Sequence, residues 1–108
     1  MLVEQKLNYS AWAREGFGTS DFTVATQQKV WVRDFKYGKG VAVDSVENDQ
    51  MMLYGLGAYS DLRFAFEDIT EFDLGIIQPR INNNSTWCVS LSDLLLWGEW
   101  VKTRAALA

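Results

Sequence analysis

Residues 29–40, Lys-Val-Trp-Val-Arg-Asp-Phe-Lys-Tyr-Gly-Lys-Gly, constrain the fold of this chain more than any other stretch. This stretch is rich in β-branched and aromatic residues, and two glycines close the run. It therefore reads as a strand that ends in a turn. Side chains two apart on a strand share a face. Val30, Val32, Asp34 and Lys36 form one row, and Trp31, Arg33 and Phe35 the other. A carboxylate beside an ammonium at a strand end has two readings. The pair is an ordinary ion pair of little energetic weight, or it is a metal ligand next to a group that handles an attacking water.

The remaining composition narrows the chemistry. At 108 residues the chain suits one domain, residues 1–108, with a real core. It contains no histidine and a single cysteine, Cys88. That excludes serine–histidine and cysteine–histidine catalysis, histidine-ligated zinc and a four-cysteine iron–sulfur cluster within one chain. Carboxylates, lysines, tyrosines and hydroxyls are left. No apolar run approaches the roughly 20 residues of a membrane span, and the first residues lack the basic-then-apolar order of a signal peptide. No membrane association is expected, and the expected location is cytoplasmic. The net charge is −4, unevenly spread: residues 1–40 balance at +2 and residues 41–108 at −6. The half that carries Asp34 and Lys36 is thus the basic one, which keeps a local phosphate-facing patch open.

Read in order, residues 2–9 alternate as a first strand, and Trp12 is expected to fold back onto the core from the loop that follows. Residues 17–26 make a second strand, and Gln27-Gln28 is short enough to close a hairpin into the third, residues 29–36. That hairpin makes the strands that carry Asp21 and Asp34 antiparallel neighbours, so the two carboxylates can sit close to the same level of the sheet. Asn48 and Asp49 suit a helix start, and the helix is expected to run to Phe64 or Phe66, with Gly55 and Gly57 allowing close approach to the sheet. A fourth strand is expected over residues 72–81, interrupted by Pro79. Asn82 to Ser85 read as a turn, and residues 86–91 as a fifth strand. A last helix capped by Ser92 is expected to run to about Thr103. The order β-β-β-α-β-β-α predicts an α+β domain, a central mixed sheet of about five strands flanked by helices.

Several groupings carry chemistry. Asp21 and Asp34 together can hold Mg²⁺ through hard oxygen ligands, with Lys36 to orient a water; the plain reading is a surface ion pair. Gln50 and Tyr54, at i and i+4, share a helix face and can hydrogen-bond a phosphate or a base edge, or simply each other. Gly38-Lys39-Gly40 lacks the spacing of a P-loop. Arg80 is a phosphate contact or a solvated strand end. Cys88 reads as a small buried hydrophobe, and Trp97 and Trp100 as core or subunit-contact residues.

Gly18-Thr19-Ser20-Asp21, Asp34-Phe35-Lys36 and Gln50-Met51-Met52-Leu53-Tyr54 together resemble the PD-(D/E)xK nuclease superfamily. The nearest branch is the RecB-like exonucleases, in phage-encoded form. Asp-Phe-Lys-Tyr-Gly-Lys-Gly-Val, Gln-Met-Met-Leu-Tyr-Gly-Leu-Gly-Ala and Ile-Ile-Gln-Pro-Arg extend the likeness over roughly residues 2–108. The resemblance implies a restriction-endonuclease-like core and a Mg²⁺- or Mn²⁺-dependent DNA nuclease of phage replication or recombination. Asp21, Asp34 and the Phe35 carbonyl would be metal ligands, and Lys36 would position or activate the water. Gln50 and Tyr54, with Lys39 and Arg80, would contact DNA.

The chain departs from the pattern in two ways. The usual helix before the first strand, with its acid, is missing, and neither Glu4 nor Glu15 matches a motif that would replace it. The cysteines of an iron–sulfur cluster are also missing. An uncovered sheet face predicts a homo-oligomer. The alternatives are a catalytically silent nucleic-acid-binding or assembly module of a phage recombination system, and an acidic protein-interaction module.

Overall fold

The hairpin at Gln27-Gln28 sets the sheet in register. The computed structural model describes residues 2–8, 17–37 and 40–107, with side chains placed over 22–37 and 40–104. Strand β1 spans Leu2–Asn8, β2 Phe17–Ala25 and β3 Lys29–Phe35. Helix α1 spans Asp49–Leu62, β4 Glu71–Gln78, β5 Asn83–Ser90 and α2 Leu91–Leu107. The molecule is α+β, with a mixed sheet and two helices. Trp12, Glu15 and Lys39 lie outside the described residues, as do the side chains of Glu4 and Asp21.

Thr26 N–H donates to the Lys29 carbonyl at 2.9 Å and closes the hairpin. From there β2 and β3 pair antiparallel, Ala25↔Val30 through Phe22↔Arg33. β3 and β4 pair in parallel, from Lys29↔Glu71 to Phe35↔Ile77. Parallel neighbours need a crossover, and α1 supplies it. β5 returns antiparallel to β4, and the strand order is β1-β2-β3-β4-β5.

The two-residue period of the strands defines the core. Val30 and Val32 on β3 and Phe72, Leu74 and Ile76 on β4 are fully buried on one face, against Met51 and Leu56 of α1 and Leu94 of α2. Gly55 is where the three layers meet. A Cβ there would stand 3.2 Å from Leu94 and 3.3 Å from Leu74, so glycine lets α1 settle between α2 and the sheet. Both helices lie on this inner face.

Several element ends differ from the sequence expectation. α1 stops at Leu62, where Arg63 N–H closes the last turn onto the Tyr59 carbonyl; Phe64 beyond it is exposed. β4 stops at Gln78, because Pro79 has no N–H to extend the ladder, and residues 79–81 form a 3₁₀ turn. Asn82, in the left-handed region at φ 51°, absorbs the reversal alone. The polar run after it is therefore strand and not turn, with Asn83 opposite Gln78. The cap of α2 is Ser90, whose hydroxyl accepts from Asp93 N–H at 3.1 Å, rather than Ser92.

On the outer face, the Arg33 side chain lies across Gly75. Its Nη1 donates to the Val32 and Asp73 carbonyls at 3.0 Å each. Its Nη2 stands 2.9 Å from Asp73 Oδ1, a charge contact in which the N–H does not point at the oxygen. A Cβ on residue 75 would come within 2.8 Å of three Arg33 atoms. Gly75→Ala is therefore expected to lower unfolding free energy by about 1–3 kcal/mol in urea titrations, the scale of losing part-buried charged hydrogen bonds. In the Arg33→Ala background the same change is expected to cost clearly less, as a double-mutant cycle will register.

Candidate functional site

The inward row of β3 carries its polar residues at one end. Val30 and Val32 are followed by Asp34, buried to 8% exposure, and Lys36 continues the same row just past the strand. Because α1 returns antiparallel over β3 and β4, its first turn sits above this end of the sheet. Asn48 caps it, its side-chain oxygen accepting from Met51 N–H at 3.1 Å.

The result is a continuous polar chain. Lys36 Nζ lies 3.0 Å from Asp34 Oδ2 and donates to Gln50 Oε1 at 3.2 Å. Gln50 Nε2 then donates to the Tyr54 hydroxyl at 3.1 Å. Four residues singled out from the sequence meet here across 20 positions. Asp34 and Tyr54 are buried, and Lys36 and Gln50 reach the surface. The main chain at Lys36 is itself fixed, its N–H donating to the Ile77 carbonyl at 2.8 Å. An ammonium has three N–H donors; two are spent on Asp34 and Gln50, and the third is directed at neither.

The other candidates are distributed around this centre. β2–β3 pairing ends at Phe22↔Arg33. Asp21 precedes Phe22 on β2, where the β1–β2 register shifts between Val3↔Thr23 and Gln5↔Ser20, and Asp34 follows Arg33 on β3. Phe35, between Asp34 and Lys36, turns its ring to the outer face, 5.6 Å from Phe22 and stacked on exposed Tyr37 at 6.1 Å. Arg80 is exposed on the 3₁₀ turn after β4 and makes no ion pair among the described residues. No three His, Cys, Asp or Glu side chains among the described residues are grouped to hold a metal ion. No helix among them is long and apolar enough to cross a membrane.

The family model described as "Protein of unknown function (DUF2800)" matches residues 1–108. The chain belongs to DUF2800. No solved structure matches it.

Cys88 of this DUF2800 chain is exposed, which corrects the expectation of a buried thiol. It lies on the outward row of edge strand β5, where its Sγ donates to Asp73 Oδ2 at 3.5 Å. Partial burial pushes the thiol pKa up, and the Asp73 charge and hydrogen bond push it further. That is the opposite of what a cysteine nucleophile needs. Trp97 packs against the core, whereas Trp100 is more than half exposed.

Sequence reasoning missed the residues that hold the loop between β3 and α1. Gln78, only 3% exposed, accepts through Oε1 from Val43 N–H and from Asn83 Nδ2, both at 2.7 Å. Its Nε2 donates to the Val41 carbonyl at 3.1 Å. Asn83 Nδ2 also reaches the Val43 carbonyl at 3.1 Å. One step further along the loop, fully buried Ser45 takes Ser85 Oγ through its own N–H at 2.8 Å. The available signal was parity: Gln78 follows Phe72, Leu74 and Ile76 on the buried row, and a polar residue there must have partners. In the DUF2800 fold these contacts set the path from Lys36 to Gln50. Gln78→Met is expected to destabilise by about 1–3 kcal/mol through the stranded Val43 and Asn83 groups. Hydrogen exchange should rise in residues 41–46 well before it rises in α2.

Proposed function

We propose that this chain is a Mg²⁺- or Mn²⁺-dependent deoxyribonuclease that hydrolyses phosphodiester bonds, built on a restriction-endonuclease-like core of the PD-(D/E)xK kind. The observation that carries the reading is the unbroken contact from Asp34 through Lys36 and Gln50 to Tyr54. Support also comes from its location, at the carboxyl ends of two parallel strands, where open sheets containing such strands commonly bind ligands.

The donor set suits a hard divalent ion. Asp34 offers carboxylate oxygen, and Asp21, just beyond the last β2–β3 pair, is the proposed second carboxylate. The Phe35 carbonyl is the third candidate oxygen. Mg²⁺ needs only one or two carboxylates, with waters and phosphate oxygens completing its shell. When bound, such an ion polarises a phosphoryl oxygen and lowers the pKa of its water. In this proposal Lys36 directs its remaining N–H at that water or at the charge that develops on phosphate. Asp34 holds the ammonium in place, and Gln50 fixes its second donor. Tyr54 orients the Gln50 amide, and Arg80 and Lys39 supply positive charge for the phosphate backbone.

A silent nucleic-acid-binding module is the second reading. It is favoured by the mutual satisfaction of Lys36, Asp34 and Gln50, an arrangement that a purely structural network also produces. Metal separates the two. Purified protein is expected to degrade DNA with Mn²⁺ and to stop on chelation. Asp34→Ala should abolish degradation with the circular dichroism spectrum unchanged, and Lys36→Met should slow it by about 10²–10⁴-fold. Degradation that persists in Asp34→Ala removes the nuclease assignment, and DNA binding indifferent to metal selects the silent module.

The outer face, with Phe22, Trp31 and Phe35 half-buried and both helices on the opposite side, supports a homo-oligomer as part of this proposal. Light scattering at micromolar concentration should then give a mass above 12.3 kDa; a monomer there refutes it.

A further inference from the structure

Away from the Asp34–Tyr54 chain, the start of α1, the inward row of β5 and the first turns of α2 line a half-open cleft of about 460 Å³. It falls in the size range of small-molecule sites. Met52 and Val89, both nearly fully buried, contribute apolar surface. Trp87 and Trp97 contribute two half-buried indoles, and Glu47, Asp49 and Asp93 three exposed carboxylates.

Asp49 and Asp93 stand in the first turns of α1 and α2, where the helix dipoles favour an acid, but no side-chain cation among the described residues pairs with them or with Glu47. None of the described residues that line the space is a lysine or arginine. Some aromatic rings elsewhere carry a cation of the chain itself: Lys29 over Trp31, Arg63 over Tyr59 and Phe64, Arg104 over Trp100. Trp87 and Trp97 carry no such partner among the described residues.

The complementary ligand is therefore a cation with an apolar, planar face. An anion is repelled by three carboxylates, and a neutral apolar molecule would desolvate them without return. A hard metal ion uses oxygen ligands but gains nothing from two indoles. A guanidinium uses both features, because it stacks flat on an aromatic ring and presents a fork of N–H donors to carboxylates. We propose that this cleft binds a small molecule bearing a guanidinium group, with the group against Trp87 and Trp97 and its N–H donors toward Glu47, Asp49 and Asp93. The site shares no residue with the proposed nuclease centre and does not depend on that assignment.

The test is calorimetric titration of the full chain with Nα-acetylarginine amide, and with Nα-acetylcitrulline amide as a near-isosteric neutral control. Saturable binding of the arginine compound is expected, at least about tenfold tighter than the citrulline compound, with affinity falling as salt rises. Glu47→Gln and Asp93→Asn, both at exposed positions, should each weaken it severalfold, and Trp97→Leu should weaken it further. Equal affinity for the two compounds, no saturation at millimolar concentration, or binding unchanged in the Glu47→Gln and Asp93→Asn proteins would each overturn the proposal. So would saturable Ca²⁺ binding at the same residues with no binding of the arginine compound.

Discussion

Everything in this molecule rests on the parallel pairing of β3 with β4 beneath α1. Val30, Val32, Phe72, Leu74 and Ile76 form two matched buried rows, register-locked from Val30↔Phe72 to Asp34↔Ile76. A slip of one residue would turn all of them outward, so burial alone fixes where the row ends. It ends at Asp34 and Lys36. The candidate site thus takes its position from the same apolar pattern that holds the sheet together, and its polar residues are simply the next members of a hydrophobic row.

That continuity explains what the sequence made legible. The period-two pattern of residues 29–36 and the short Gln27-Gln28 link were enough to put Asp34 and Lys36 on one face and to make the first hairpin antiparallel. The i, i+4 spacing of Gln50 and Tyr54 gave their contact with each other. The Lys36–Gln50 contact, which joins strand to helix, could be expected only from resemblance to a nuclease motif, since no local pattern sets the angle at which α1 crosses the sheet.

Other features were hidden for identifiable physical reasons. Asn82 to Ser85 read as turn because asparagine and serine favour turns, yet a single left-handed Asn82 makes the reversal and leaves Asn83 free to pair. Cys88 read as buried because free cysteines usually are, but it occupies the outward row of an edge strand. The aromatic and acidic cleft draws on α1, β5 and α2 and on the loop before α1, which are separated by up to 50 positions, so no sequence window holds it.

The amide of Gln78 has one more consequence, for the order in which the chain can become structured. Its partners Val41 and Val43 lie 37 and 35 residues earlier, and Ser45 waits for Ser85, 40 residues on. As the polypeptide leaves the ribosome, these anchors of the segment that leads into α1 therefore form only once the β4–β5 hairpin exists. Folding of this small domain thereby depends on pairings 35 to 40 residues apart, and any activity that uses Lys36 and Gln50 would wait for synthesis through Ser85.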